Sequence, residues 1–177
     1  NAFVMSRGYW AGAVAARLNV TSPVSINITP SYNSSSRVLN VTIDYTFLIG
    51  YGEETRVTCL LIEDSISSSQ TNYFNTTTGS PFYGLGNPIP NYQQMHAQVA
   101  FLSADNWGDV NNPAAVASGQ SFTKTYSYTL PSSINADHVK IVAFINEHVG
   151  ASPTMSSGTE ILNSEVKSIW ATTTGVN

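Results

Sequence analysis

Cysteine is almost absent from this chain. Cys59 is the only one, so no internal disulfide can staple the fold and no Cys-x-x-Cys pair is available for dithiol chemistry. It lies in Val57-Thr58-Cys59-Leu60-Leu61-Ile62, where Val57, Cys59 and Leu61 share a face, and it reads as a buried, inert thiol. Charge is scarce as well: Asp, Glu, Lys and Arg make up 10% of the 177 residues, where about a quarter is usual. Seven basic against eleven acidic residues leave a net charge of -4. That argues against nucleic acid, which needs a basic stripe, and disfavours an acidic membrane surface. No apolar run approaches the roughly 18 residues of a spanning helix. Asn1 opens without the basic region and apolar core of a signal peptide, so the chain is expected to be processed or cut from something longer.

What is present suits a folded domain. Apolar residues make up 42% and mean hydropathy is -0.05, which supports a core and argues against disorder. Ser, Thr and Asn together form about a third of the chain. Solubility then rests on hydroxyls and amides, a composition common on the outward strand faces of extracellular β domains.

Residues 1–22 follow a helical period. Ser6 is a candidate cap, and Trp10, Val14 and Leu18 form an apolar stripe among alanines. Pro23 marks the boundary. From Val24 the period becomes two. Val24, Ile26 and Ile28 alternate with polar residues up to Pro30; Leu39, Val41, Ile43, Tyr45 and Phe47 line a second strand; Arg56 to Glu63 make a third. Asp64 to Tyr92 reads as a long Ser, Thr, Asn, Gly and Pro-rich loop carrying Tyr73, Phe74, Phe82, Tyr83 and Tyr92, functional or mobile at that length. Gln94 to Leu102 reads as one strand.

Two runs carry the clearest signal. Phe122, Tyr126, Tyr128 and Leu130 alternate with Ser and Thr, and Val139 to Ile145 is almost wholly apolar. Pro131-Ser132-Ser133 and Asn135-Ala136-Asp137 separate them. The expectation is an antiparallel pair at the centre of the domain, its second strand covered on both faces. Glu160 to Trp170 supplies a last strand, with Leu162, Val166 and Trp170 on a common face if it is regular. Seven strands at hairpin spacings predict an all-β chain: an antiparallel two-sheet β-sandwich over 23–177, of jelly-roll or Greek-key type, after a short N-terminal helix.

Few constellations carry chemistry. His96, His138 and His148 lack the short paired spacing of a zinc site. Asp105, Asn106, Asp109, Asn111 and Asn112 offer oxygens in one loop that calcium could use, with Asp105 and Asp109 as the carboxylate ligands. Trp107 between them reads as a core anchor rather than a stacking platform. No Gly-x-Ser-x-Gly elbow or facing carboxylate pair stands out, since Glu63-Asp64, Glu147 and Glu160 each fall at a strand end.

Several segments together resemble a known family. They are Ser6-Arg7 with Trp10 and the stripe to Leu18; Ser22-Pro23-Val24; Leu61-Ile62-Glu63-Asp64; Gln70-Thr71-Asn72-Tyr73-Phe74-Asn75; Asn106-Trp107-Gly108; Gly119 to Pro131; Val139 to Ile145; and Glu160 to Ser164. In this order they resemble the outer-membrane-protein-twenty-eight-related proteins of Bacteroidetes, which are surface or outer-membrane lipoproteins. The resemblance implies a lipid-anchored precursor with a thioredoxin-like domain followed by a β-sandwich, residues 1–22 being the tail of the former. It brings no catalytic residues with it. Asp64-Ser65-Ile66 also resembles the O-glycosylation triplet of Bacteroidetes surface proteins, with Ser65 as acceptor.

The functional expectation is a non-catalytic β-sandwich module at the cell surface or outer membrane, acting in adhesion or in binding a protein or glycan partner. The alternative is a carbohydrate-binding module stacking sugars on Tyr73, Tyr83, Tyr92 or Trp107. A glycan-processing enzyme comes third.

Overall fold

The computed structural model describes residues 6–148 and 160–171. In chain order the helix α1 (Trp10–Arg17) precedes β1 (Val24–Asn33), β2 (Val38–Phe47), β3 (Thr55–Glu63), β4 (Ile66–Gln70), β5 (Ile89–Gln94), β6 (Ala97–Phe101), β7 (Asp109–Val110), β8 (Ser121–Thr129), β9 (Val139–Glu147) and β10 (Ile161–Ser168). One sheet has the order β1-β2-β8. The other runs β10-β9-β3-β6, with β7 also paired to β3, and β4-β5 form a small sheet of their own. Every pairing is antiparallel. The all-β sandwich expected from the period-two runs is the fold.

Its core follows from those runs. Leu39, Val41, Ile43, Tyr45 and Phe47 turn inward from β2, all at most 2% exposed, and meet Val57, Cys59 and Leu61 of β3 and Ile141, Ala143 and Ile145 of β9. Burial pushes the Cys59 thiol up to about 12, with Asp109 adding to the effect, so the sulfur is a protonated piece of the core.

The expected pairing of β8 with β9 is not formed. β8 lies along β2 from Val38↔Thr129 to Thr46↔Ser121, while β9 lies in the opposite sheet between β10 and β3. Arg37 holds the segment that crosses over: its guanidinium donates to the carbonyls of Leu130, Pro131 and Ile134 at 3.0, 2.8 and 2.7 Å, and Leu130 is buried. Period-two patterning identifies a strand but not its neighbour.

Other boundaries moved for local reasons. β1 continues through Pro30, because the Ile28 N–H points away from β2, to the Glu165 carboxylate at 2.6 Å. Two residues on, the nitrogen of Pro30 occupies the same outer edge, where no ladder bond is needed. The expected strand Gln94 to Leu102 breaks at His96, whose φ is +56°, so Gln94 joins β5 and the rest forms β6. Three strands absent from the sequence count, β4, β5 and β7, raise seven to ten among the described residues.

In β10 a bulge at Ile161/Asn163 changes the phase. Leu162 and Ile169 are buried while Val166 and Trp170 are exposed, so the common face expected for Leu162, Val166 and Trp170 does not exist. Side chains of this strand and of Ser22 stitch the two sheets along one side. Besides the Glu165 bond, Asn163 Nδ2 donates to Val24 O at 2.7 Å and Ser22 Oγ donates to Leu162 O at 2.9 Å. The Ser6 side chain caps nothing: a 3-10 turn over Arg7–Tyr9 comes first, and Tyr9 precedes α1. Val14 and Leu18 of the helical stripe are exposed.

Candidate functional site

Residues 64–96, of which 64–92 read from the sequence as a loop, form a hairpin arm leaving the end of β3. Asp64 closes its base. One carboxylate oxygen accepts the His96 N–H at 2.8 Å and the other takes Lys140 Nζ at 2.6 Å, tying both ends of the arm to β9. The Lys140 hydrogen bond, helped by the His96 N–H, holds the Asp64 carboxyl below its usual range. A carboxyl lowered in the folded state contributes stability above its unfolded pKa and loses it as pH falls through the folded one. In an acid titration below about pH 4, the His96 amide is therefore expected to lose exchange protection in the native chain. In Asp64→Asn that protection should be lower from the start and flat with pH; equal profiles for both proteins would refute the clamp.

Beyond the base, amide side chains do the folding that apolar residues do elsewhere. Asn72 is 4% exposed. Its Nδ2 donates to Phe82 O and Gly86 O at 2.8 and 2.9 Å, and its Oδ1 accepts the Phe74 N–H at 3.0 Å. Asn87 Oδ1 accepts the Asn72 N–H at 3.0 Å, and Asn75 Oδ1 accepts the Gly86 N–H at 2.8 Å. Positive φ at Gly84 and Gly86, +72° and +94°, lets the chain turn back over Asn72.

This scaffold holds open a cleft of about 390 Å³ lined by Tyr73, Phe74, Phe82, Ile89 and Tyr92, with Gln70, Thr71, Asn72 and Gln94 among them. Phe82 and Tyr92 pack at 6.5 Å between centroids with planes 54° apart. Tyr73 is 86% exposed and Phe74 53%. Gln94 Nε2 donates to Gln70 Oε1 at 3.1 Å across the strands. Aromatic faces beside primary amides can stack on a flat apolar surface and hydrogen-bond its polar rim.

The sequence candidates divide accordingly. Tyr73 and Tyr92 meet in the cleft. Tyr83 is exposed on the same loop but does not line it. Trp107 lies elsewhere, 40% exposed beside Thr58, Asn106, Phe144, Asn146 and Ile161, so it is not the core anchor expected. Ser65 is exposed at the arm's base with φ +61°. Phe74 and Phe82 were visible as aromatics of this segment, whereas the roles of Asn72, Gln70 and Gln94 had no local signal.

The carboxylates considered for calcium each meet protein groups. Asp105 accepts the Trp107 N–H at 2.8 Å and lies 3.7 Å from Arg56; Asp109 accepts the Ala104 N–H at 3.0 Å and lies 3.5 Å from Lys124. Among the described residues no group of three or more His, Cys, Asp or Glu surrounds a common point. The phenols of Tyr45, Tyr51 and Tyr126 are all raised, each first by burial, Tyr45 to about 12. They stay protonated as structural donors: the Tyr45 hydroxyl donates to Asn112 Oδ1 at 2.9 Å, and that of Tyr51 to Glu147.

Comparison with known proteins bears on the same segments. The family described as outer membrane protein Omp28 matches residues 2–156. The chain belongs to the Omp28 family. This is the family that the segments from Ser6 to Ser164 resembled, and it places the chain at the outer membrane. Among solved structures, the chain is similar to a domain of the outer membrane lipoprotein Omp28 from Porphyromonas gingivalis, at 16% identity and a TM-score of 0.46, over 81% of this chain and 93% of that one. No curated protein matches. Within the Omp28 match lies the whole arm with its cleft. No helix among the described residues is long and apolar enough to cross a membrane.

Proposed function

We propose that this chain is a non-catalytic binding module of an outer-membrane lipoprotein, and that it engages a surface partner through the cleft of the 64–96 arm. The supporting observation is the cleft itself. Tyr73, Phe74 and the half-buried Tyr92 are presented on a segment whose folding is supplied by the Asn72 amide bonds and by the Asp64 clamp, so the first two rings can stay exposed without destabilising the core. Exposed aromatics held on a rigid support are the residues that dominate binding surfaces.

Gln70 and Gln94 beside the rings favour a glycan as the partner, since a pyranose offers an apolar face for stacking and hydroxyls for amides. The test is a glycan array read with the native chain and with Tyr73→Ala/Tyr92→Ala. Stacking is worth about 0.5–1.5 kcal/mol per ring, so the double variant should lose about tenfold or more in affinity at an unchanged melting temperature. Binding undiminished by that substitution would remove the cleft from the reading. A blank array beside retained, cleft-dependent adhesion to cells would leave a protein as the partner.

A further inference from the structure

A second cavity, of about 520 Å³, opens at one end of the sandwich, between the ends of β3 and β6 and the segment leaving β8. Its walls are Ile66, Val99, Pro131, Ser133 and Ile134, with the Tyr128 ring on one side and Glu63 within it. It shares no lining residue with the arm's cleft. Glu63 is the last residue of β3 and 8% exposed. One of its oxygens accepts the Asn135 N–H at 2.8 Å. No ion pair among the described residues includes it, whereas the next residue, Asp64, takes Lys140 at 2.6 Å.

A carboxylate withdrawn from water without a cation is costly to keep, and a positive charge entering the cavity relieves that cost. The walls specify what should carry it. Apolar side chains suit a hydrocarbon stem, an aromatic ring attracts a cation lying over its face, and a single carboxylate is too few ligands for a metal ion. We propose that this cavity binds an alkylammonium group, its charge on Glu63 and its stem among Val99, Ile134 and the Tyr128 ring. The group could belong to a lysine side chain of a partner or to a free aliphatic amine. The inference is independent of the arm's cleft.

Nitrogen-15 NMR titration of the chain tests it, with the Asn135 amide as reporter because its N–H lies on Glu63. n-Butylammonium should move that signal saturably, with a dissociation constant of about 1–10 mM for so small a ligand. n-Butanol, equal in shape and uncharged, should not move it. Glu63→Gln, which keeps an acceptor for the Asn135 N–H, should weaken the ammonium about tenfold or more. The peptide acetyl-Gly-Lys-Gly-amide, run alongside, distinguishes the sources: tighter binding than n-butylammonium assigns the site to a partner's lysine, weaker binding to a free amine. An unmoved Asn135 signal, or an equal response to the alcohol, overturns the proposal. Should Glu63→Gln fail to fold, the amine and alcohol comparison on the native chain decides alone.

Discussion

Replacing Phe47 with alanine should lower the stability of the fold by about 4 kcal/mol. The side chain is fully buried at the end of β2, and its ring lies 6.1 to 6.3 Å from those of Tyr45, Tyr51 and Phe122. The loss therefore combines the transfer free energy of a large ring with a cavity that neighbours can fill only in part. They are held from outside: the Tyr45 hydroxyl is tied to Asn112 and that of Tyr51 to Glu147. The backbone cannot slide in either, because the Phe47 N–H donates to Gln120 O at 2.9 Å and its carbonyl accepts the Gly119 N–H at 2.7 Å. For a domain of this size the melting temperature should fall by about 10 °C. Equilibrium denaturation is the measurement, and a change below about 1 kcal/mol would show that this ring is not part of the core.

Gly108→Ala should cost about 3 kcal/mol for a different reason. Gly108 has φ +90°, a backbone conformation that side chains with a Cβ rarely adopt. A Cβ there would lie 2.6 Å from Thr58 Oγ1 and 2.9 Å from the Val57 carbonyl oxygen. Neither neighbour can yield cheaply. Val57 pairs with Ile145 and Asp109 in the middle of the sheet, and Thr58 Oγ1 donates to Asn146 Oδ1 at 3.0 Å. Relief would pull the turn at 105–108 and β7 away from β3, releasing Trp107 and freeing Asp109 from its place beside Lys124. The expected signature is a lower denaturation midpoint together with loss of amide protection across Asp109–Val110. A variant as stable as the native chain would mean that the 105–108 turn does not press on β3.

The same two positions show how far the residues can be read before folding. Phe47 was legible as an inward side chain because β2 alternates without interruption, and every apolar residue of that alternation is buried. Gly108 was legible only as part of Asn106-Trp107-Gly108, since nothing local says that strand β3 runs beneath it. Trp107 misled for the same reason: large aromatic residues are usually buried, but the turn that Gly108 permits leaves this ring half in water. In the arm, Ile66-Ser67-Ser68-Ser69-Gln70 is too polar to read as a strand, and β4 exists because β5 pairs with it. The cleft was half visible. Tyr73 and Tyr92 could be picked out as aromatics in a polar stretch, yet the Asn72 bonds that set them beside Phe82 span 10 to 15 residues.

From its own residues the chain determined that it is a β protein, which side chains face inward along β2 and in the middle of β3, and that its lone thiol is inert. These follow from alternation and composition, properties of neighbouring residues. Tertiary structure alone decided that β8 and β9 part to opposite sheets, that four aromatics of the arm close on one cleft while Tyr83 and Trp107 do not, and that Glu63 is left without a cation. Each of these depends on which distant segments meet, and hydrogen-bond geometry and desolvation act only once they have met.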